Sequence, residues 1–182
     1  MLESAVAQRV RLLGLDVDGV LTDNGVYLGH SGDAAVELKR FDIQDGLGLV
    51  LLHGAGIPIV LVSGRPSTAT ELRAAQIPID EVVQVPGPRK LPVLERILSE
   101  RGLGWEQLAF VGDDLADLPI LRRAGLPIAV ANAVPDVVAT ARVVTTARGG
   151  HGAVREVVEL LLRARGQWEA AVARYLGEPD DD

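Results

Sequence analysis

An α/β fold, a Rossmann-like parallel sheet with flanking helices, is what the sequence predicts. Short apolar runs recur along the chain, segments of helical spacing separate them, and polar residues gather straight after the runs. The first run, residues 10–15 (VRLLGL), is nearly continuous and stops at Asp16, as a strand buried on both faces would. Residues 25–41 break the alternation. Two apolar-aromatic runs there flank the turn signal His30-Ser31-Gly32-Asp33, which makes a β-hairpin, either an ordinary surface hairpin or a functional flap. Helical spacing follows over residues 46–53, then a second apolar run over 57–62 (IPIVLV). Helices are expected over 68–75 and 91–101, a third strand over 108–111 (LAFV), a helix over 117–124 and a fourth strand over 127–130 (PIAV). A last helix, roughly residues 153–176 with Gly166 as a candidate break, precedes an acidic tail expected to be frayed.

A chain of 182 residues suits one compact domain, taken as residues 1–182 with the hairpin at about 25–41 and a C-terminal arm and helix at about 149–176. Hydrophobic residues make up 48% and charged residues 24%, in short bounded runs, which points to a globular chain and not a disordered one. There is no cysteine, which excludes disulfides, thiolate metal sites and a cysteine nucleophile. A formal charge of −7 argues against a nucleic-acid partner, which needs clustered Lys and Arg. The apolar stretches are too short to span a bilayer, and residues 1–11 carry Glu3, Arg9 and Arg11 where a signal peptide would be apolar. No membrane partner and a cytoplasmic location are therefore expected.

Ligands of open parallel sheets lie beyond the carboxyl ends of the strands, and there this chain gathers its acids. Asp16 and Asp18 follow the first run, Ser63 ends the second, and Asp113, Asp114 and Asp117 follow the third. In an extended Asp16-Val17-Asp18 segment both carboxylates face one side. Acids so close repel one another unless a cation lies between them, and a hard, oxygen-seeking ion such as magnesium suits. Alone, the pair reads as a helix cap or an acidic turn. Asp113 and Asp117, four apart, can share one face of a beginning helix; capping accounts for one of these three acids, not for all three beside another acidic pair. Ser63-Gly64-Arg65 offers a hydroxyl and N–H groups to phosphate oxygens, and Lys90 a compact cation for phosphoryl transfer, although singly they read as a turn serine and a surface lysine. His30, His53 and His151 are scattered, and Trp105 and Trp168 read as packing residues. A dinucleotide binder is excluded, because Asp-Val-Asp-Gly follows the first strand where Gly-x-Gly-x-x-Gly is needed.

Taken in order, DVDGVLTD (residues 16–23), Ser63 in VSGR, Lys90 and GDDLAD (residues 112–117) match the four motifs of the haloacid dehalogenase superfamily, which the chain resembles over nearly its whole length. More narrowly, VYLGHSGDAAVELKRFDIQDGLG, VSGRPS, GDDLADLPIL and GGHGAVREVVELLLRARG resemble 3-deoxy-D-manno-octulosonate 8-phosphate phosphatases. The resemblance implies a capless haloacid dehalogenase-like fold with a small β-hairpin flap that helps assemble a homotetramer, and an arm after Gly149 that closes over a neighbouring active site. It implies that Asp16 is the nucleophile and Asp18 the general acid, then the general base. Mg2+ would be held by Asp16, the Asp18 carbonyl and Asp113, with Asp114 and Asp117 in support, and Ser63 and Lys90 would hold the phosphoryl oxygens. Substrate contacts would fall at Asp18, Asp42, Asp45, Gly46, Arg65, Arg73 and Lys90. The implied substrate is a phosphorylated sugar acid, 3-deoxy-D-manno-octulosonate 8-phosphate, in lipopolysaccharide sugar biosynthesis. Val50 and Gln44 stand where relatives often carry a basic residue, and Asp42 where asparagine is common. Less positive charge near an anionic sugar leaves a nine-carbon sugar acid 9-phosphate, or a broader set of sugar phosphates, as an alternative. The remaining reading is a non-catalytic oligomerising or regulatory domain, against which every catalytic position stands filled.

Overall fold

The computed structural model describes residues 2–177, and the acidic tail lies outside the described residues. A short helix, α1 (Ser4–Ala7), leads into β1 (Leu12–Leu15). The hairpin strands β2 (Tyr27–Ser31) and β3 (Ala34–Leu38) follow, then α2 (Ile43–Gly54), β4 (Ile59–Ser63), α3 (Thr68–Ala74), β5 (Glu81–Gln84) and α4 (Leu91–Glu100). The chain continues through β6 (Leu108–Gly112), α5 (Leu118–Leu121), β7 (Leu126–Ala129), α6 (Pro135–Thr140), β8 (Val143–Val144), α7 (Ala153–Ala164) and α8 (Trp168–Leu176).

Six strands form one parallel sheet in the order β5-β4-β1-β6-β7-β8. The chain builds outward from β1 in one direction, then returns to build in the other, so β1 and β6 flank the crevice where strand order reverses. Alternation along each strand feeds two cores. Leu13, Leu15, Ile59, Leu61, Ala109 and Val111 pack with α2 and α7, whereas Leu12, Val60, Val62, Leu108 and Phe110 pack with α4 and α5. β1, β4 and β6 are thus buried on both faces, which is why their sequences are nearly continuously apolar.

All four strands expected from the sequence form, with ends displaced by one or two residues. Two more were not anticipated. β5 is a half-buried edge strand whose ends are charged or polar, and β8 is two residues long, too short to show a period. The helix expected at residue 46 begins at Ile43, because the Asp42 side chain accepts from the Gln44 N–H at 2.8 Å and caps it. The helix expected over 117–124 is instead a 3-10 turn, Leu115–Asp117, followed by the single turn α5. Gly166 does break the last helix, at a φ of +68°. The hairpin pairs Tyr27 with Leu38 through Ser31 with Ala34 and turns at Gly32-Asp33. Among the described residues no helix is long and apolar enough to cross a membrane.

Candidate active site

The Asp16 N–H donates to the Val111 carbonyl at 3.0 Å, so pairing of β1 with β6 extends to the first acid of the DVDG segment. The chain then turns at Gly19, whose φ is +89°, and a side chain there would overlap the Asp113 carboxylate. Glycine is what lets the loops after β1 and β6 close on one another. Asp117 folds back: its Oδ2 accepts from the N–H groups of Asp113 (3.0 Å) and Asp114 (3.4 Å). Asp113 and Asp117 therefore meet through a 3-10 turn and not as the neighbours on one helix face that their spacing suggested. Lys90, buried at the start of α4, donates to Asp16 Oδ1 at 2.7 Å and to Asp117 Oδ1 at 2.9 Å.

Oxygens of Asp16, Asp113 and Asp117 lie within 4.8 Å of one another, and all three residues are buried. Burial first, then repulsion from Asp117, pushes the Asp16 carboxyl up to about 7 against the attraction of Lys90. Burial, then repulsion from Asp16, Asp117 and Asp114, pushes Asp113 up to about 8. Burial works against the charge on Lys90, but Asp16 and Asp117 outweigh it and raise its pKa. One ammonium group thus faces three buried carboxyl groups, and Asp113 Oδ1 is buried without a hydrogen-bond partner among the described residues. An all-oxygen donor set with surplus negative charge fits a hard divalent cation. Both Asp117 oxygens are engaged by Lys90 and backbone, so Asp16 and Asp113 are the side chains left to hold such an ion, and Asp117 frames them.

A cavity of about 300 Å³ opens on this cluster, lined among others by Asp16, Asp18, Gly64, Arg65, Lys90 and Asp113. A larger one, about 640 Å³, lies between β3 and α3 and contains none of these carboxylates, so size alone does not mark the site. Ser63 is buried, and its hydroxyl closes its own turn, accepting from the Arg65 N–H (3.1 Å) and donating to the Arg65 carbonyl (3.0 Å). Gly64 and Arg65 are the parts of that turn that reach the cavity. Asp114, exposed at the cavity edge, caps the 3-10 turn through the Leu115 N–H at 2.7 Å.

Asp42, Asp45, Gly46 and Arg73, expected to touch substrate with Arg65 and Lys90, gather elsewhere. Asp42 caps α2 and pairs with Arg40 at 3.7 Å. Asp45 is buried and accepts from the Arg155 N–H at 2.8 Å, in the first turn of α7. Gly46 packs against the Arg73 guanidinium, which donates to the Asp42 carbonyl at 3.2 Å and lies 6.0 Å from the centre of the Phe41 ring. The physical reason is that a helix start carries free N–H groups, which draw an acid one helical turn into a neighbouring helix. Gln44 and exposed Val50 belong to α2 as well and do not line the cavity.

Three residues that the sequence reading did not single out complete the surroundings. Lys39, just past β3, reaches Asp18 Oδ1 at 2.6 Å, and Glu37 pairs with Arg65. Asn132 donates to the Gly19 carbonyl at 3.0 Å and accepts from the Gly149 N–H at 2.6 Å, tying the C-terminal arm to the loop after β1. Gly149 and Gly150 come so close to Gly19, Thr22 and Asp23 that a side chain at either would overlap their backbone. The charged alternation Glu37-Leu38-Lys39 was the one available signal for the first two, since it sends both charges to one face of a strand. Nothing local singles out Asn132.

The haloacid dehalogenase-like hydrolase family matches residues 85–157. The 3-deoxy-D-manno-octulosonate 8-phosphate phosphatase KdsC of Escherichia coli strain K12 is 40% identical over 167 residues, covering 92% of this chain and 87% of its own. The crystal structure of the phosphatase of that name from Moraxella catarrhalis, in complex with magnesium ion, phosphate ion and KDO, superposes with a TM-score of 0.88 at 35% identity, covering 94% of this chain and 97% of that one. The cobalt-bound phosphatase YrbI from Haemophilus influenzae gives a TM-score of 0.81 at 33% identity, covering 88% and 92%. With identity of this order spread over nearly the full length of both chains, this protein belongs to the 3-deoxy-D-manno-octulosonate 8-phosphate phosphatase family of haloacid dehalogenase-like hydrolases.

Proposed function

We propose that this chain is a Mg2+-dependent phosphoric monoester hydrolase that converts 3-deoxy-D-manno-octulosonate 8-phosphate to the free sugar acid and phosphate, in lipopolysaccharide sugar biosynthesis. The single observation that carries the chemistry is the buried Lys90 bridging Asp16 and Asp117, with Asp113 beside them, at the crevice between β1 and β6. The reading of the substrate is supported by relatives named for that activity that match 92% and 94% of this chain.

An Asp16 oxygen attacks phosphorus and the ester oxygen leaves with a proton from Asp18. Asp18 then takes a proton from the water that attacks the phosphoryl-Asp16, releasing phosphate and restoring both carboxyl groups. Lys90 holds the Asp16 carboxylate in place and offsets charge that builds on the transferring group. Mg2+, held by the Asp16 and Asp113 carboxylates and the Asp18 carbonyl, would supply further positive charge to the phosphoryl oxygens. Asp117 and Asp114 support that shell, the turn Ser63-Gly64-Arg65 presents donors to phosphate, and the Arg65 guanidinium suits the carboxylate of a sugar acid. Gln44, Val50 and Asp42 stand away from this cavity, so their departure from the family pattern bears less on the substrate than the intact Arg65 does.

The described residues work as one catalytic unit whose hairpin assembles a homotetramer in the cytoplasm. The exposed Tyr27, Leu28 (77% exposed) and Leu38 on the hairpin support that assembly, because apolar groups on a two-stranded ribbon gain by being covered. Phosphate release from a panel of phosphorylated sugar acids, with and without Mg2+, tests the function. The eight-carbon 8-phosphate is expected to give the highest kcat/KM; a nine-carbon 9-phosphate turned over faster would reassign the substrate, and no release from any ester would end the reading.

A further inference from the structure

Lys39 follows β3 directly and shares a face of the extended chain with Glu37, two residues before it. Its side chain has no exposed surface, and its Nζ donates to Asp18 Oδ1 at 2.6 Å and to Thr70 Oγ1 at 3.4 Å. A lysine is rarely buried this fully unless it is paired, and Asp18 is its ion partner among the described residues. Lys39 is also the side chain that holds the Asp18 carboxylate, since Lys90 is spent on Asp16 and Asp117. The strand behind it is pinned. Glu37 accepts from Ser67 Oγ at 2.6 Å and pairs with Arg65, which fastens β3 to the loop after β4 and to the start of α3. Thr70, on α3, is buried and fixes the Lys39 amine from the other side.

We propose that Lys39 is a positioning residue for the reaction, aiming the Asp18 carboxylate into the cavity so that the hairpin completes the active site of its own chain. This rests on the role given to Asp18 under the proposed function. A proton-transferring carboxyl must stay within hydrogen-bond reach of the atom it serves, and a misplacement of about 1 Å costs roughly 100-fold in rate. Asp18 sits on a loop and keeps some exposure, so packing alone does not hold it; a rigidly anchored ammonium group does. The hairpin is then more than an assembly surface, because moving it moves the acid-base group.

The test is a double-mutant cycle on the Mg2+-loaded full chain with the eight-carbon sugar acid 8-phosphate, comparing Lys39→Met, Lys39→Gln, Asp18→Asn and the Lys39/Asp18 double variants. Lys39→Met is expected to lower kcat about 30- to 100-fold with KM within about threefold, and to cost less than about twofold when added to Asp18→Asn. A deficit that multiplies fully on Asp18→Asn, or a Lys39→Met enzyme with wild-type kcat, overturns the proposal. If Lys39→Met loses its fold by circular dichroism, Lys39→Gln, which is polar but uncharged and ends one bond short of the Lys39 Nζ position, runs the same cycle with the same two overturning results. Wild-type turnover by Asp18→Asn itself would sink the acid-base reading of Asp18, whereas an inactive Asp18→Asn beside a fully active Lys39→Met would sink only the role of Lys39.

Discussion

Asp16 and Asp45 are both buried aspartates, and burial pushes both upward, to about 7 and about 6, yet their oxygens are aimed at different things. Asp45 sits at the start of α2 and meets the backbone N–H groups at the start of α7; it closes a helix end. Asp16 sits where strand order reverses and meets an ammonium group, two other acids and an open cavity. Burial and a raised pKa are common to both, so neither separates a working carboxylate from a structural one. The partner does. Asp45 and Asp113 each keep one buried oxygen without a hydrogen-bond partner among the described residues. Asp45, however, leans on backbone N–H groups away from the cavity of about 300 Å³, whereas like charges beside that cavity leave Asp16 and Asp113 a shortage that a cation or a phosphoryl group relieves.

The contrast breaks first at the nucleophile. Asp16→Asn is expected to cut steady-state phosphate release by about 1,000-fold or more with the circular dichroism spectrum unchanged, since covalent catalysis needs that oxygen; wild-type turnover would abolish the distinction. Lys90→Met removes the cation shared by Asp16 and Asp117 and is expected to lower kcat about 100- to 1,000-fold in the same assay. On the other side of the comparison, Asp45→Ala frees N–H groups at the start of α7 and is expected to lower stability by about 1–3 kcal/mol in urea titrations. Its kcat/KM in folded enzyme should change less than about threefold, and a large loss there would make Asp45 part of the site. The smallest expected effect is in pH. Burial, opposed by the Arg155 N–H and reinforced by Asp42, raises Asp45 to about 6, whereas unfolded aspartate titrates near about 3.9. Between those values the native state holds a proton that the unfolded chain has released, so this group lowers stability as pH rises from about 4 to about 6 and adds no further slope above that. Urea midpoints measured across that window should fall less steeply for Asp45→Asn than for the wild type.

Much of this was legible because the informative residues border strong local patterns. Asp16 and Asp113 each follow an uninterrupted apolar strand, so their place beyond the strand ends could be read locally, whereas Lys90, which singly reads as a surface lysine, is found buried at the head of α4. Asp42 and Asp45 carried the same kind of signal, an acid beside a helix start, and the cap was the part that sequence could not assign, because α7 lies more than a hundred residues away. Lys39 and Glu37 were hidden in a hairpin whose exposed, mixed composition gives no hint of which neighbour it leans on. β5 and β8 were missed because an edge strand and a two-residue strand bury too little to leave a period.

By itself the sequence determined the layered α/β architecture and the acids that end its strands, since hydrophobic period and turn chemistry act over a few residues and can be read in place. Tertiary structure alone decided which of those acids share a cation, which cap a helix and which lean on the hairpin. Charge and hydrogen-bond interactions act over a few ångströms of space, and chain order does not report how a fold closes the distance between Lys39 and Asp18, or between Asp45 and Arg155.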